Sequence, residues 1–140
     1  MEVQIKKLSA TAILPNYAHS NDAGMDIYAN EAVSIKAGQR TLVGTGITLA
    51  IPDGYVGLIW DKSGMAVKNG ITTLAGVIDA GYRGEVKIAL YNTSSETYEI
   101  EAGHKIAQML VQTIHQPILK EVDQLMVTKR GTDGFGSTGI

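Results

Sequence analysis

The sequence predicts an all-β domain, which could be a sandwich, a jelly roll or a barrel. Apolar and polar residues alternate with a period of two, the apolar runs are rich in Val, Ile, Thr and Tyr, and Gly, Pro, Asn and Asp separate these runs. Closely spaced turn residues suit antiparallel strands better than alternating strands and helices. A chain of 140 residues with 44% hydrophobic residues is large enough to form one core.

The elements follow from this pattern in chain order. The predicted strands are residues 3–6, 41–51, 55–60, 84–92, 106–113 and 118–122. Turns are predicted at 52–54 (Pro-Asp-Gly), 93–95 (Thr-Ser-Ser) and 101–103 (Glu-Ala-Gly). Residues 63–68 break the pattern, because Ser63 is an N-cap candidate, helix formers follow it and Gly70 is a stop signal. A helix of at most two turns is expected there.

The composition excludes several classes of function. The absence of cysteine rules out disulfides, thiolate metal sites and a cysteine nucleophile. With 12 Lys and Arg against 14 Asp and Glu, the net charge is −2, which argues against a nucleic acid partner. We found neither a signal peptide pattern nor an apolar run long enough to span a membrane. An intracellular protein is expected, cytoplasmic or in a host compartment if viral.

The last residues form a separate unit in this prediction, with one domain at 1–128 and an arm at 129–140. Four glycines, at 131, 134, 136 and 139, give the arm a large ordering entropy and little to bury. It contains the only phenylalanine of the chain, Phe135. The arm is either a frayed terminus or a segment that closes over a ligand, with Phe135 stacking on a flat ring and Arg130 holding phosphate oxygens.

Polar residues interrupt apolar strand patterns at four further places. Asp26 could face solvent, stabilise a turn or serve a site. Lys62 with Ser63 and Gly64 could seat a phosphate at the start of the helix, or Ser63 could be a plain cap. Gln108 could bind a phosphate or pair with a neighbouring strand.

The fourth place is the stretch from Gly76 to Gly84, in which Asp79 and Tyr82 bracket an Ala-Gly turn between apolar strands. This predicts a hairpin whose glycines let the backbone approach a ligand closely. Asp79 is a candidate general base, although an Asp before Ala-Gly also commonly stabilises a turn. The three histidines lie far apart in sequence without paired carboxylates, so a zinc site is not indicated.

Together, in this order, the motifs resemble those of the dUTPase family. They are AGMDIYA at 23–29, KSG at 62–64, GVIDAGYRG at 76–84, GHKIAQ at 103–108 and RGTDGFGSTG at 130–139. The resemblance implies a jelly-roll-like β-barrel with one short helix and a flexible C-terminal arm. It also implies a homotrimer whose subunits share active sites, and hydrolysis of dUTP to dUMP and pyrophosphate, which keeps uracil out of DNA and supplies dUMP for thymidylate synthesis.

The resemblance also assigns roles to single residues. Asp79 would activate the water that attacks the α-phosphorus, and Tyr82 would pack under the deoxyribose and exclude a 2′-hydroxyl. Mg²⁺ would bridge the triphosphate oxygens, and Asp26 would support it indirectly through water. The residues expected to bind substrate are Lys62, Ser63, Gly64, Thr73, Gly76, Val77, Ile78, Tyr82, Lys87, Gln108, Arg130, Phe135, Gly136, Ser137 and Thr138.

This chain departs from the family pattern at a few positions. Lys62 stands where Arg is usual, so less bidentate phosphate contacts and weaker substrate binding are expected. Asp61 replaces the usual Pro, and Gly81 stands where Asp is common. His104 and Lys105 replace an acidic-basic pair, which bears on subunit contacts.

Two other functions are consistent with the motifs. A dCTP deaminase would share the fold and the trimer but attack the cytosine ring, and the Phe135 arm argues against it. A binding or signalling protein would use the nucleotide pocket to dock a partner, and the presence of Asp79 argues against lost hydrolysis.

Overall fold

The computed structural model describes residues 1–134. Over this range eleven strands and one short helix form, which confirms the all-β class. The elements are β1 Gln4–Lys7, β2 Met25–Tyr28, β3 Val33–Ile35, β4 Arg40–Gly44, β5 Ile47–Ala50, β6 Tyr55–Trp60, α1 Ser63–Asn69, β7 Ile71–Leu74, β8 Val77–Ile78, β9 Lys87–Asn92, β10 Tyr98–Ile100 and β11 Lys105–Thr113.

The paired strands of the described chain run antiparallel to each other. One sheet has the order β2-β11-β6-β8 and another the order β4-β9-β7, while β1 pairs with β5 and β10 with β3. Strands that follow each other along the chain, such as β4 and β5, lie in different sheets. This is the jelly-roll-like arrangement that the resemblance implies.

Branched aliphatic side chains fill the core. On β9, Ile88, Leu90 and Asn92 are buried while Lys87 is exposed, which is the period-two pattern of a strand with one face inside. β-Branched side chains pack well on a pleated surface, and each fully buried one contributes about 2 kcal/mol. The large side chains that are fully buried are Ile27, Ile35, Ile47, Ile71, Ile88, Leu90, Ile100, Ile106, Met109, Val43, Val86 and Asn92.

The predicted strands at 55–60 and 106–113 are confirmed, the second beginning one residue earlier, and the strand at 3–6 is shifted by one residue. The single strand predicted at 41–51 is wrong, because the chain turns at Gly46, whose φ is 66°. A Cβ at Gly46 would lie 2.9 Å from the Cβ of Ala12, so close packing also requires glycine there. The short strands β3, β7 and β10 lie outside the predicted segments.

The predicted hairpin around Asp79 is wrong, although its turn is confirmed. The backbone N–H of Tyr82 donates to the carbonyl of Asp79 at 3.0 Å. The flanking strands do not pair with each other, because β8 pairs with β6 while β9 pairs with β4 and β7. The strand predicted at 84–92 therefore begins only at Lys87.

The strand predicted at 118–122 is also wrong. Residues 114–134 form neither strand nor helix, and Ile118 and Leu119 are 97% and 90% exposed. No strand among residues 1–134 pairs with this segment. A single apolar segment without a paired neighbour is not stable as a strand. The boundary between a domain at 1–128 and an arm at 129–140 stays a prediction.

The short helix is confirmed, but its N-cap lies one residue before the expected cap. Lys62 is the N-cap, with extended backbone, and Ser63 is the first helical residue rather than the cap. Gly70 ends the helix in the left-handed conformation, with φ of 67°, as its stop signal indicates. The helix places residues 62–64 directly after β6.

Candidate active site

The Asp79 turn forms the first part of the candidate site. Gly57 and Leu58 of β6 pair with Ile78 and Val77 of β8, so the turn begins at the edge of the four-stranded sheet. The Asp79 carboxylate is exposed, and it makes no hydrogen bond within the described part of the chain. A carboxylate in this state is available to accept a proton from a bound water.

A small cavity opens beside this turn. It has a volume of about 280 Å³ and is lined by Leu42, Val77, Ile78, Asp79, Tyr82, Glu85 and Lys87. The Tyr82 hydroxyl donates to the carbonyl of Glu85 at 3.0 Å, which fixes the ring. Nζ of Lys87 lies 3.5 Å from Oε2 of Glu85. The cavity thus combines apolar walls, one aromatic face and one carboxylate without a partner.

Gly76 permits the backbone to enter this region. Its φ is 109°, and a Cβ there would lie 2.9 Å from the carbonyl oxygen of Ile59. The same backbone stretch is tied to β6, since the N–H of Ile59 donates to the carbonyl of Gly76 at 2.8 Å. Ala75 also has a positive φ, of 62°, which is strained for a residue with a Cβ.

The end of β6 and the strand β11 form the second part, a groove of about 640 Å³. Asp26, Asp61, Lys62, Lys105, Gln108 and Trp60 are among its lining residues. Two lysines of the groove meet one carboxylate. Lys62 donates to Oδ1 of Asp26, and Nζ of Lys105 lies 2.6 Å from Oδ2.

Asp26 is 5% exposed, which excludes the alternative that it faces solvent. Oδ2 is buried, and the ammonium group of Lys105 lies beside it as the counter-charge. Burial acts to raise the pKa of Asp26, but the hydrogen bonds and charges of Lys105 and Lys62 together lower it below its usual value. The same carboxylate raises the pKa of Lys105.

Gln108 lines the groove, and its side-chain amide hydrogen-bonds to the backbone. Its Nε2 donates to the carbonyl of Asp61 at 2.8 Å, which ties β11 to the residue after β6. A Cβ at Gly24 would lie 2.6 Å from Oε1 of Gln108, so glycine at 24 leaves the space that the amide occupies. This contact supports the alternative that Gln108 pairs with a neighbouring strand, since Asp61 directly follows β6. Phosphate binding by Gln108 stays a prediction.

Asp61 makes the densest set of contacts in the groove. Oδ1 accepts from the Thr73 N–H at 2.6 Å and from the Thr73 hydroxyl at 2.7 Å, and Oδ2 accepts from the Thr72 hydroxyl at 2.7 Å. Burial acts to raise the pKa of Asp61, but the hydrogen bonds from Thr73 and Thr72 outweigh it and the pKa is lowered. Asp61 is therefore ionised at neutral pH.

The structure brings the predicted residues together in two places rather than one. Val77, Ile78, Asp79, Tyr82 and Lys87 line the small cavity, and Gly76 directly precedes them. Lys62 and Gln108 line the groove, and Ser63 and Gly64 follow Lys62 at the start of α1. The two sets of lining residues have no member in common. Thr73 lies apart from both and faces Asp61.

The arm contributes less to the described structure. Arg130 is exposed, and its Nε donates to the carbonyl of Asp133 at 2.9 Å in a local turn. The predicted contacts of Phe135, Gly136, Ser137 and Thr138 lie outside the described residues.

Sequence reasoning missed the parts played by Lys105, Asp61 and Trp60. Lys105 begins β11 opposite Tyr28, two residues from Asp26, and only the strand pairing reveals that they meet. Trp60 is the only tryptophan of the chain, and it is 56% exposed in the groove. Asp61 and Lys105 stand out in the sequence only as departures from the family pattern, and no local signal distinguishes Trp60 from an ordinary strand end.

The donor set bears on a metal. Residues 1–134 contain no group of three or more His, Cys, Asp or Glu side chains that could hold a metal ion. Asp26 already has an ammonium group at each carboxylate oxygen. The described residues therefore do not supply a complete set of protein ligands for a metal ion. They are compatible with a metal ion that is bound mainly by oxygens of a ligand.

The fold and the two sites place this chain among the jelly-roll-like, all-β proteins that carry a polar groove and a small cavity at the ends of their strands. The dUTPase family model matches residues 10–139, and the chain belongs to the dUTPase family.

Individual relatives agree with this assignment over their full length. The chain is 46% identical to a deoxyuridine 5'-triphosphate nucleotidohydrolase of Clostridium kluyveri, covering 99% of both chains. It is 44% identical to that of Clostridium acetobutylicum, covering 100% of this chain and 98% of the other. The dUTPase of Staphylococcus bacteriophage 80alpha, solved as a mutant with dUpNHpp, is 32% identical with a TM-score of 0.93, and 99% of each chain is covered.

A second solved structure concerns a metal. The dUTPase from phage phi11 of S. aureus, solved as a mutant, is described as revealing the coordination of a structural Mg(II) ion. It is 29% identical to this chain, with a TM-score of 0.85. The match covers 91% of this chain and 100% of that chain.

Proposed function

We propose that this chain hydrolyses dUTP to dUMP and pyrophosphate by attack of water on the α-phosphorus, with Asp79 as the general base. The observation that carries the proposal is the exposed Asp79 carboxylate, which has no hydrogen-bond partner among the described residues and lines a cavity of about 280 Å³. An exposed carboxylate without a partner can orient a water and accept its proton. The dUTPase family membership supplies the substrate.

The same cavity would select the nucleoside. Tyr82 is held by its hydroxyl and is half-exposed toward the cavity, so its ring would pack under deoxyribose and leave no room for a 2′-hydroxyl. The backbone of Gly76, Val77 and Ile78 would hydrogen-bond the uracil edge, in a space too small for the methyl group of thymine. Lys87 would contact the nucleotide from the wall formed by β9.

The groove would hold the phosphates. Ser63 and Gly64 begin α1, where backbone N–H groups have no partner within the helix. Gln108 holds the carbonyl of Asp61, the residue before Lys62. Lys62 would add a positive charge beside the phosphates. Arg130, Phe135, Gly136, Ser137 and Thr138 would arrive with the arm to cover the γ-phosphate and the base.

Mg²⁺ is proposed as a partner of the substrate rather than of the protein. When bound, it would neutralise charge on the triphosphate oxygens and on the departing pyrophosphate. Each carboxylate oxygen of Asp26 has a lysine ammonium group beside it. This favours a role for Asp26 in positioning Lys62 and Lys105. Indirect support of the metal by Asp26 through water stays a prediction.

A homotrimer with shared active sites is part of this proposal. The cavity and the groove have no lining residue in common, so a nucleotide that uses both is best served by two subunits. The exposed apolar residues after β11 offer a surface for a second copy of the chain. Residues 1–134 contain no helix with the length and apolar character of a membrane crossing. A cytoplasmic location, or a host compartment for a viral protein, remains the expectation.

Pyrophosphate release from dUTP, dTTP, dCTP and UTP in the presence of Mg²⁺ tests the proposal. We expect release from dUTP alone, and a loss of about 10²- to 10⁴-fold in Asp79→Asn, the range for a general base. Asp53→Asn, an exposed Asp in a turn away from both sites, is the matched control and should retain activity. Ammonia from dCTP would indicate a deaminase, and inertness toward all four nucleotides would support the binding or signalling protein.

A further inference from the structure

We propose that Asp61 is a positioning residue for this reaction. Through Thr72 and Thr73 it would fix the segment formed by Lys62, Ser63 and Gly64, called here the phosphate segment. The inference rests on the proposed function and deepens it, because it assigns a role to a carboxylate that directly precedes a segment meant to bind anions. A negative charge at this position needs a structural reason.

The contacts of Asp61 supply that reason. Its carboxylate accepts three hydrogen bonds, of 2.6 and 2.7 Å from the N–H and hydroxyl of Thr73 and of 2.7 Å from the hydroxyl of Thr72. Hydrogen bonds to a charged group contribute more than neutral ones. No Lys, Arg or His of the described chain lies within salt-bridge distance, since the adjacent Lys62 turns to Asp26 instead. The acceptor capacity of Asp61 is thus used on β7, not on a cation.

These bonds close a loop. Asp61 follows β6, Thr72 and Thr73 lie in β7, and the phosphate segment and α1 lie between them. Joining the two ends removes freedom from the whole excursion. The carbonyl of Asp61 accepts from Gln108 at 2.8 Å, so β6, β7 and β11 meet at this one residue. The phosphate segment begins at the next residue, and its position is set by this junction.

The geometry changes the role of Thr73. Both of its polar hydrogens, on the backbone nitrogen and on the hydroxyl, are donated to Oδ1 of Asp61. They are therefore not available as donors to uracil or phosphate. Thr73 acts through Asp61 rather than as a substrate contact.

Steady-state kinetics with dUTP on the full chain separate a positioning role of Asp61 from a general contribution to the stability of the fold. Because the lost contacts place a binding segment and not the base, Asp61→Ala should raise KM about tenfold and change kcat less than about threefold. Asp61→Asn keeps an oxygen acceptor for Thr73 and should remain within about threefold of the wild-type KM. An Asn variant with a KM as high as that of the Ala variant would mean that the oxygen acceptor for Thr73 does not set the KM, and would overturn the proposal.

Thr73→Val removes the hydroxyl from the other side of the same contact, and it should also raise KM. Combining it with Asp61→Ala should raise KM by no more than about twofold beyond Asp61→Ala alone, since both changes break one network. Fully multiplicative effects would show that the two residues act independently and would contradict the inference. If Asp61→Ala folds poorly, Thr73→Val alone still tests the contact from its other side.

Thr93→Val is the matched control. Its hydroxyl donates to the carbonyl of Gly70 at 2.8 Å and ties down the other end of α1. We expect similar melting temperatures for Thr93→Val and Thr73→Val but an unchanged KM in the control. An equal rise in KM would reduce Asp61 to a general stabiliser of the loop.

Binding of a non-hydrolysable dUTP analogue, followed by Trp60 fluorescence, measures the same affinity without turnover. A wild-type chain that binds the analogue without hydrolysing dUTP would refute the proposed function alone. A wild-type chain that hydrolyses dUTP, with Asp61→Ala unchanged in KM, would refute the positioning role alone. If the wild type neither binds nor hydrolyses, both proposals fail.

Discussion

Asp26 joins two lysines of the groove to one buried carboxylate. Its pKa is lowered because the contacts of Lys105 and Lys62 outweigh the cost of burial. A carboxyl whose folded pKa is depressed stabilises the protein above its unfolded pKa of roughly 3.9, and that contribution is lost as the pH falls through the folded value. Acid should therefore loosen this junction before it affects the core.

Asp26→Asn tests this pH dependence. We expect a loss of about 2 kcal/mol in the free energy of unfolding at pH 7, where the charge is present and the lysines lose their partner. Below both pKa values the variant and the wild type should converge. Urea unfolding at pH 7, 4, 3 and 2 measures the difference, and a gap that stays constant down to pH 2 would contradict the role of the charge.

Ala75 is the one residue other than glycine with a positive φ in the described chain, at 62°. It precedes Gly76 and the short strand β8, so the strained residue lies two positions before Val77, which lines the cavity. Ala75→Gly should raise the free energy of unfolding by about 1 kcal/mol, because glycine adopts this conformation without the cost of a Cβ. Thermal unfolding checks it, with Ala37→Gly, at a residue of negative φ, as a control expected to destabilise.

At the scale of elements, the turn after β9 depends on a buried amide. Nδ2 of Asn92 donates to the carbonyls of Ile35 and Glu96 at 2.8 and 2.7 Å, and Oδ1 accepts from the N–H and the hydroxyl of Ser94 at 2.9 and 2.7 Å. This side chain is 0% exposed and fully satisfied. It joins β9 to β3 and to the turn before β10.

Asn92→Ala should lower the free energy of unfolding by about 3 kcal/mol, since it leaves several buried polar groups without partners. Denaturant unfolding measures the loss. Asn21→Ala, at an exposed position, should stay within about 0.5 kcal/mol of the wild type. A small effect at Asn92 would mean that water replaces the amide.

At the scale of the whole molecule, the segment after β11 carries apolar side chains that one chain leaves in solvent. Leu125, Met126 and Val127 are at least 85% exposed, as are Ile118 and Leu119. An exposed apolar run of this length is typical of a surface that another chain covers. Such a surface would also explain the strand pattern at 118–122. A segment with this pattern is suited to pairing with a strand, and one chain provides no partner for it.

Sedimentation should therefore find a trimer for the wild type. Ile118→Ser combined with Leu119→Ser should shift the distribution toward monomer and lower turnover together, because each proposed site draws on two subunits. Val67→Ser, at an equally exposed apolar residue on α1, should leave the assembly unchanged. A monomeric wild type with full activity would refute shared sites.

The sequence alone determined the all-β class, the short helix, the turns and the Asp79 turn. These features depend on residues that are close in the chain, such as Gly70 after the helix formers or Pro52 before Asp53-Gly54. Local conformational preferences and period-two burial are sufficient to specify them. The family motifs added the identity of the candidate site residues.

Tertiary structure decided which segments meet. β8 pairs with β6 instead of β9, Lys105 reaches Asp26, and Asp61 turns to Thr73. Each of these contacts joins residues that are at least 12 positions apart, and many alternative partners satisfy the same local pattern. Only the packing of the whole chain selects among them, because burial and hydrogen bonding must be satisfied for all the strands at once.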